Sequence, residues 1–187
     1  MIEEDDILTC WWWYNWYITH STCTFETDPI DGNEFTERVH RVRRRYPWIV
    51  LQEDKELLGY AYLDVFNERA AYDHTADVSI YLNPQETGKG YGKRLMKALE
   101  DIAVKDGYYS LISIITETNT SSMHLHESFG FKKAGFLEKS GYKDGKWLGV
   151  AYYQKNLVEA DDDRAPQPLQ NLDPYLENKH NRVPENF

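Results

Sequence analysis

Cysteine is nearly missing from this chain: Cys10 and Cys23 are the only two in 187 residues. Two thiols make no disulfide framework, so both read as free structural cysteines of a reducing compartment. A metal-ligand set is missing too, because His124-x-His126 has no cysteines near it, and no metal is expected. Positive charge is short, with 21 Lys and Arg against 31 Asp and Glu, a net −10. That balance excludes the basic face a nucleic acid needs. No apolar run approaches a membrane span, and no basic, then apolar, then small-residue leader opens the chain. A cytoplasmic protein with no nucleic-acid or membrane partner is the expectation. There is no internal repeat. Proline is sparse until the end, where four of the seven fall in the last 22 residues beside Asp161-Asp162-Asp163. Little there can bury a core, so 158–187 reads as a flexible acidic tail, with docking through Leu169, Leu172, Tyr175 and Leu176 as the alternative. Residues 1–157 then form one domain of ordinary size.

Within that domain the hydrophobic period is first helical. Ile7, Trp11, Tyr14 and Ile18 share one helical face over 5–18, opened by Asp5 and Asp6. Trp11-Trp12-Trp13-Tyr14 is richer than one buried stripe needs. It reads as core with partial exposure, or as a substrate-site wall or dimer contact. A second helix spans about 33–46, with Phe35, Val39, Val42 and Tyr46 on one side. Its arginines (Arg38, Arg41, Arg43, Arg44, Arg45) form a solvated face, and Pro47 ends it. WIVLQ and LLGYAYLDVF, on either side of a polar turn at 53–56, predict an antiparallel hairpin. After a polar loop at 67–76, a strand at 77–83 alternates Val78, Ile80 and Leu82 with Asp77, Ser79 and Tyr81. Leu95, Leu99 and Ile102 mark an amphipathic helix ending near Gly107. LISIIT at 111–116 predicts a central strand covered on both faces. Ser121 or Ser122 caps a short helix ending at Phe129-Gly130. Two strands, near 132–139 and 147–156, flank a loop from Gly141 to Gly145.

Before the amphipathic helix, Gly88, Gly90 and Gly92 alternate with Lys89 and Tyr91. Glycines admit tight turns and close approach, and a helix start presents unpaired N–H groups to a phosphate. A bare structural turn fits the same spacing. The dinucleotide fingerprint does not fit, since no further strand–helix pairs follow. The P-loop pattern also fails, because Gly88-Lys89 lacks both the earlier glycine and the following Ser or Thr.

The run Thr87-Gly88-Lys89-Gly90-Tyr91-Gly92 is similar to the acetyl-CoA loop of the GNAT N-acetyltransferases, Gln/Arg-x-x-Gly-x-Gly/Ala, with Thr87 in place of Gln or Arg. From Glu3 to Leu157 the chain resembles their phosphinothricin and methionine sulfoximine N-acetyltransferase branch. STCTFETDP (21–29), RYPWIV (45–50), AAYDHTADVSIYLNP (70–84), MHLHESFGF (123–131) and GYKDGKW (141–147) carry the likeness. The resemblance implies an α/β (α+β) fold of the GNAT type: a mixed, mostly antiparallel sheet with helices on both faces, splayed between the family's fourth and fifth strands. The family's N-terminal edge strand is missing before the first helix, a departure that bears on activity more than on fold.

Acetyl-CoA is the implied co-substrate. Its pyrophosphate would lie against Thr87, Gly88, Lys89, Gly90, Tyr91, Gly92 and Lys93, and its pantetheine arm along Ile80, Tyr81 and Leu82. The Leu82 N–H is the implied oxyanion donor. Asn119 matches a cofactor contact, and a plain loop asparagine remains open there. Asp77 stands where the branch has a glutamate and would accept the substrate's ammonium proton, directly or through water. On spacing alone a solvated strand-end carboxylate is the favoured reading, and the resemblance reverses it. His126 matches the branch histidine, which protonates the thiolate or relays the amine proton. His124, about 200° round the helix, stays background. Arg69 would pair with a substrate carboxylate, with Phe25 and Tyr72 lining the pocket, while Asn67 replaces a basic residue of the relatives. The implied activity is acetylation of the α-amine of a small amino-acid-like substrate, with room for a homodimer. Acetylation of polyamine or protein amines, and a non-catalytic acyl-CoA-binding module, are the alternatives.

Overall fold

Residues 1–158 are described by the structure, a computed structural model. The acidic tail read from the sequence lies outside the described residues apart from Val158. The first helix, α1, spans Glu4–His20. Asp6 accepts from the Glu3 N–H at 2.9 Å in a reciprocal cap, and three first-turn acids suit the positive helix end. Ile7, Tyr14 and Ile18 are buried as their spacing predicts. The aromatic cluster divides: Trp13 and Tyr14 enter the core, Trp12 is 63% exposed, and the Trp11 indole N–H reaches the Ile30 carbonyl at 2.8 Å.

Helix α2, Gly32–Arg43, is capped by Asp31 and buries Phe35, Val39 and Val42. It stops three residues short of the expected end. Its arginines are also less free than a solvated face requires. Arg38 bonds Glu26 at 2.7 Å, and Arg41, Arg43 and Arg45 pair with Asp64, Glu4 and Asp73. Those carboxylates arrive from segments distant in sequence, which periodicity cannot show.

Strands β1 (Trp48–Glu53) and β2 (Glu56–Val65) join through Asp54-Lys55, both in the left-handed region that suits a tight hairpin. After a single turn at Ala70–Tyr72, β3 covers Thr75–Leu82. Helix α3, Tyr91–Asp106, ends at Gly107, whose φ of 92° satisfies the last carbonyls in the usual glycine manner. Then come β4 (Ser110–Thr116), α4 (Thr120–Ser128), β5 (Lys132–Lys143) and β6 (Lys146–Asn156). Among the described residues no helix is long and apolar enough to cross a membrane.

The sheet order is β1-β2-β3-β4-β6-β5. Every neighbouring pair is antiparallel except β3 and β4. Helices cover both faces: α1 and α2 set Tyr14 on Tyr81 and Phe35 on Trp48, while α3 brings Leu95 against Gly59. Under α1 and α2 the rings of Trp48, Tyr62, Tyr60 and Tyr81 stack, the closest pair with centroids 4.1 Å apart. Residues 1–3 form no strand, although the Ile2 N–H donates to the Trp48 carbonyl at 2.9 Å on the outer side of β1.

One junction of the sheet is only partly closed. The ladder between β3 and β4 holds just Thr75–Asp77 against Ser110–Ile112. Past Asp77 the two strands part, as the resemblance implies. Asn83 donates to Leu58 on β2, so strand alternation turns the amide groups of Ile80 and Leu82 the other way, into the gap. The Leu82 carbonyl is met there by the Tyr17 hydroxyl at 3.0 Å.

Three further expectations are corrected. Strand β4 is not covered on both faces, since Ile114 beside the gap is 45% exposed. Neither Ser121 nor Ser122 caps α4; Asn119 does, its Oδ1 accepting from the Ser122 N–H. Its side-chain acceptor sits two to three residues earlier, where the free N–H groups point. Gly141 lies inside β5, paired with Leu148, and the turn is only Asp144-Gly145. A register shift between Leu137 and Gly141, with Lys139 at φ 48°, lets β5 continue where the sequence suggested an end.

Candidate active site

The parted strands open a cleft of about 850 Å³. One wall is β3 from Val78 to Leu82, and the other is β4 from Ser113 to Ile115. The glycine loop closes one end. Gly88 and Gly90 take φ of 78° and 90°, and no atom lies within 4 Å of where a Cβ would stand on either. No side chain caps the α3 N-terminus, and the Lys93 N–H turns back to the Gly90 carbonyl at 3.0 Å, so the N–H groups of Tyr91 and Gly92 are the ones left for an anion. Thr87, Gly92 and Lys93 also line this end. The side chains of Lys89 and Tyr91 turn elsewhere, Lys89 to Glu86 at 2.8 Å and Tyr91 to Glu53, so only their backbone serves the loop. A pyrophosphate fits this open, uncapped cradle.

Gly90→Val forces a β-branched residue into the left-handed region and fills the open space. Acetyl-CoA affinity is expected to fall by about tenfold or more, since even ~1.4 kcal/mol of strain or lost contact is tenfold. Calorimetry on the folded variant checks this, and unchanged affinity would reject the cradle.

Helix α4 supplies the third wall. His126 is only 3% exposed, with its ring edge-on to Phe131. Its Nδ1 lies 2.8 Å from the Ser122 carbonyl. A carbonyl can only accept, so Nδ1 carries the proton and Nε2 holds a lone pair. That Nε2 is buried and has no hydrogen-bond partner. Burial also pushes the imidazole pKa below its usual value. The arrangement is a neutral base poised to take a proton, and it suits the relay role better than the acid role. His124, set aside by the helical-wheel argument, also lines the cleft from its exposed rim. The cleft curls around the first turns of α4, so two positions far apart on the helix both reach it.

Asp77 lies one residue before the lining begins, directly opposite Asp64 on β2. Its Oδ1 is buried without a hydrogen-bond partner. Desolvation, and then the charge of Asp64, push its pKa up to about 7. A carboxyl in that range can accept and release protons near neutrality.

Asn119, the α4 cap, lines the cleft with the β3 residues and the glycine loop. Phe25, Arg69 and Tyr72 are not among its lining residues. Phe25 packs its ring over Gly141, Tyr72 leans on Phe66, and Arg69 is exposed beside Asn67, whose Oδ1 accepts its N–H. Sequence reasoning missed Tyr17 and Cys23, which line the cleft from α1 and the segment after it. Tyr17 lies one residue off the predicted stripe, and burial pushes its hydroxyl pKa to about 12. Cys23 lies in the polar segment after α1, where no period marks it.

Comparison with known proteins agrees with this geometry. Residues 8–131 match the model of the acetyltransferase (GNAT) family. The chain is 32% identical to a phosphinothricin N-acetyltransferase of Streptomyces viridochromogenes over 76% of its own length and 78% of that protein. It is 29% identical to an L-methionine sulfoximine/L-methionine sulfone acetyltransferase of Salmonella typhimurium, covering 78% and 86%. Its fold superposes with a TM-score of 0.84 on a GNAT phosphinothricin acetyltransferase of Sinorhizobium meliloti solved with acetyl-CoA, at 30% identity, covering 89% and 90%. With its parted strands, glycine cradle and these matches over most of its length, the chain belongs to the acetyltransferase (GNAT) family.

Proposed function

We propose that this protein is an enzyme transferring acetyl from acetyl-CoA to the α-amine of a small amino-acid-like substrate. The observation that carries the reading is the cleft between β3 and β4, which runs from an uncapped glycine cradle to the free Nε2 of His126. The relatives that act on phosphinothricin and methionine sulfoximine support the substrate class. Acetyl-CoA supplies the activated acetyl thioester. Gly88–Lys93 hold its pyrophosphate, Ile80–Leu82 align its arm, and Asn119 borders it. The Leu82 N–H, turned into the gap, is the donor available to a developing oxyanion. Asp77 takes the ammonium proton, through water where its short side chain falls short, and His126 relays it.

Release of free CoA in the presence of candidate amines tests this reading. Methionine sulfoximine should exceed its decarboxylated analogue in kcat/KM by about tenfold or more, the size of a charge-assisted contact. Phosphinothricin should be no better than methionine sulfoximine, because among the described residues Lys93, at the cofactor end, is the one Lys or Arg lining the cleft. Equal values for amino acid and analogue would favour polyamine or protein amines. Binding of acetyl-CoA with no CoA release from any amine would leave only a binding module.

A further inference from the structure

Lys143, at the end of β5, is 3% exposed. Buried lysines are rare unless an anion accompanies them. Among the described residues no carboxylate pairs with this one. Its Nζ donates to the Thr24 carbonyl at 2.9 Å. An ammonium has three donors, and the other two meet no acceptor among the described residues.

The segment it holds is a strap over the open end of the sheet. The Thr116 hydroxyl donates to the Thr22 carbonyl at 2.7 Å, and the hydroxyls of Thr22 and Thr118 meet at 2.7 Å. Of the two carboxylates of this segment (21–29), Glu26 is committed to Arg38 and to the Tyr14 hydroxyl, and Asp28 is exposed and accepts from the Thr27 hydroxyl. Cys23 is nearer to Lys143 in electrostatic terms, but burial pushes its thiol pKa up and keeps it neutral. No anion of the strap therefore balances this charge. Cys23 lines the cleft, so the residue that Lys143 bonds, Thr24, directly follows a cleft-wall residue. Neither Lys143 nor Arg69 is itself among the lining residues; Lys143 lies behind the wall, close enough for its charge to act on Cys23, whereas Arg69, the cation that resemblance implied, stays exposed.

We propose that Lys143 binds the carboxylate of the acceptor amino acid, with the Thr24 carbonyl fixing the direction of its ammonium. The assignment rests on the amino-acid reading of the site given above. An α-amino acid carries its carboxylate one carbon from the reacting nitrogen, so an amine delivered to the cleft brings the missing anion with it. Lys143 is then a specificity residue, not part of the proton path.

The test compares kcat/KM for methionine sulfoximine and its decarboxylated analogue in wild type, Lys143→Gln, Lys143→Met and Arg69→Gln. Gln removes the charge while its amide can still donate to Thr24, which separates recognition from support of the strap. Both Lys143 variants should lose about tenfold or more of the preference for the amino acid, chiefly through KM. Arg69→Gln should keep the preference. Equal losses toward both substrates in Lys143→Gln would make the residue structural and overturn the assignment. A preference that survives in Lys143→Gln and vanishes in Arg69→Gln would return the role to Arg69. If wild type itself shows no preference, the amino-acid reading fails, and this assignment with it. Should Lys143→Met fail to fold, Lys143→Gln alone decides.

Discussion

Asp77→Asn is expected to slow acetyl transfer by about 10²–10⁴-fold, the usual contribution of a positioned acid or base, while making the folded chain more stable above neutral pH. The two effects share one cause. Burial and the facing Asp64 raise the carboxyl from its ordinary value to about 7. Between about pH 4 and 7 the folded state then binds a proton that the unfolded chain has lost. Where the native state holds more protons, stability falls as pH rises. Ionised Asp77 is thus a burden on the fold at pH 7 and above, and Asn, with no charge to desolvate, removes it. The difference in melting temperature between Asp77→Asn and wild type should be smallest near pH 4, grow towards 7 and level off beyond. Thermal melts across that range, with turnover measured beside them, check both halves. Full turnover in the variant would remove Asp77 from the reaction, and a pH-independent difference would remove the desolvated carboxylate. Groups strained for chemistry often cost stability in this way.

His126→Ala should lower kcat by about 10²–10⁴-fold and leave acetyl-CoA affinity nearly intact, because the cradle is built by α3 and its preceding loop. The pH profile carries the sharper information. Burial holds the imidazole pKa below its usual value, so His126 takes up a proton only on the acidic side. Protonated there, it can no longer accept from the substrate. The wild-type rate should fall as Asp77 is protonated near 7 and then steepen at lower pH as His126 follows. His126→Ala should lose that steepening and retain the limb near 7, while Asp77→Asn should do the reverse. A histidine variant with an unaltered acid limb would exclude a proton role for the imidazole. Loss confined to acetyl-CoA affinity would make it a packing residue.

The regular parts of this fold were legible because their signals are local. The Phe35, Val39 and Val42 stripe of the second helix, Gly107 after the third and the alternation around Val78 and Ile80 each act within a few residues. The glycine cradle was legible for the same reason. What escaped depends on chain segments meeting across the fold. Arg38 could not be called half-buried until the strap delivered Glu26 to it. Lys143 looked like a loop residue because Gly141 and Gly145 suggested a break, whereas β5 continues through Gly141 and carries the lysine under the strap. Ile114 sits in an apolar run that reads as a doubly covered strand, yet the partial ladder beside it leaves it open. Asn119 defeated the serine caps through an offset of two to three residues, a scale at which helix boundaries are poorly marked in sequence. Asp77 and His126 were singled out by resemblance, and the burial that shifts both of them has no local signal in the sequence.

The stack of Trp48, Tyr62, Tyr60 and Tyr81 gives this molecule an optical signature. Trp48 is the one tryptophan of the chain's six with no exposure at all, and its ring lies face to face with Tyr62. Rings held this close in a fixed, asymmetric arrangement couple their electronic transitions, which gives strong circular dichroism in the near ultraviolet that vanishes when the order is lost. The signal arises on the same sheet face that carries Asp77, two pleats along β3 from Tyr81. A single spectrum therefore reports whether a site variant has kept the interior around its carboxylate, before any substrate is added.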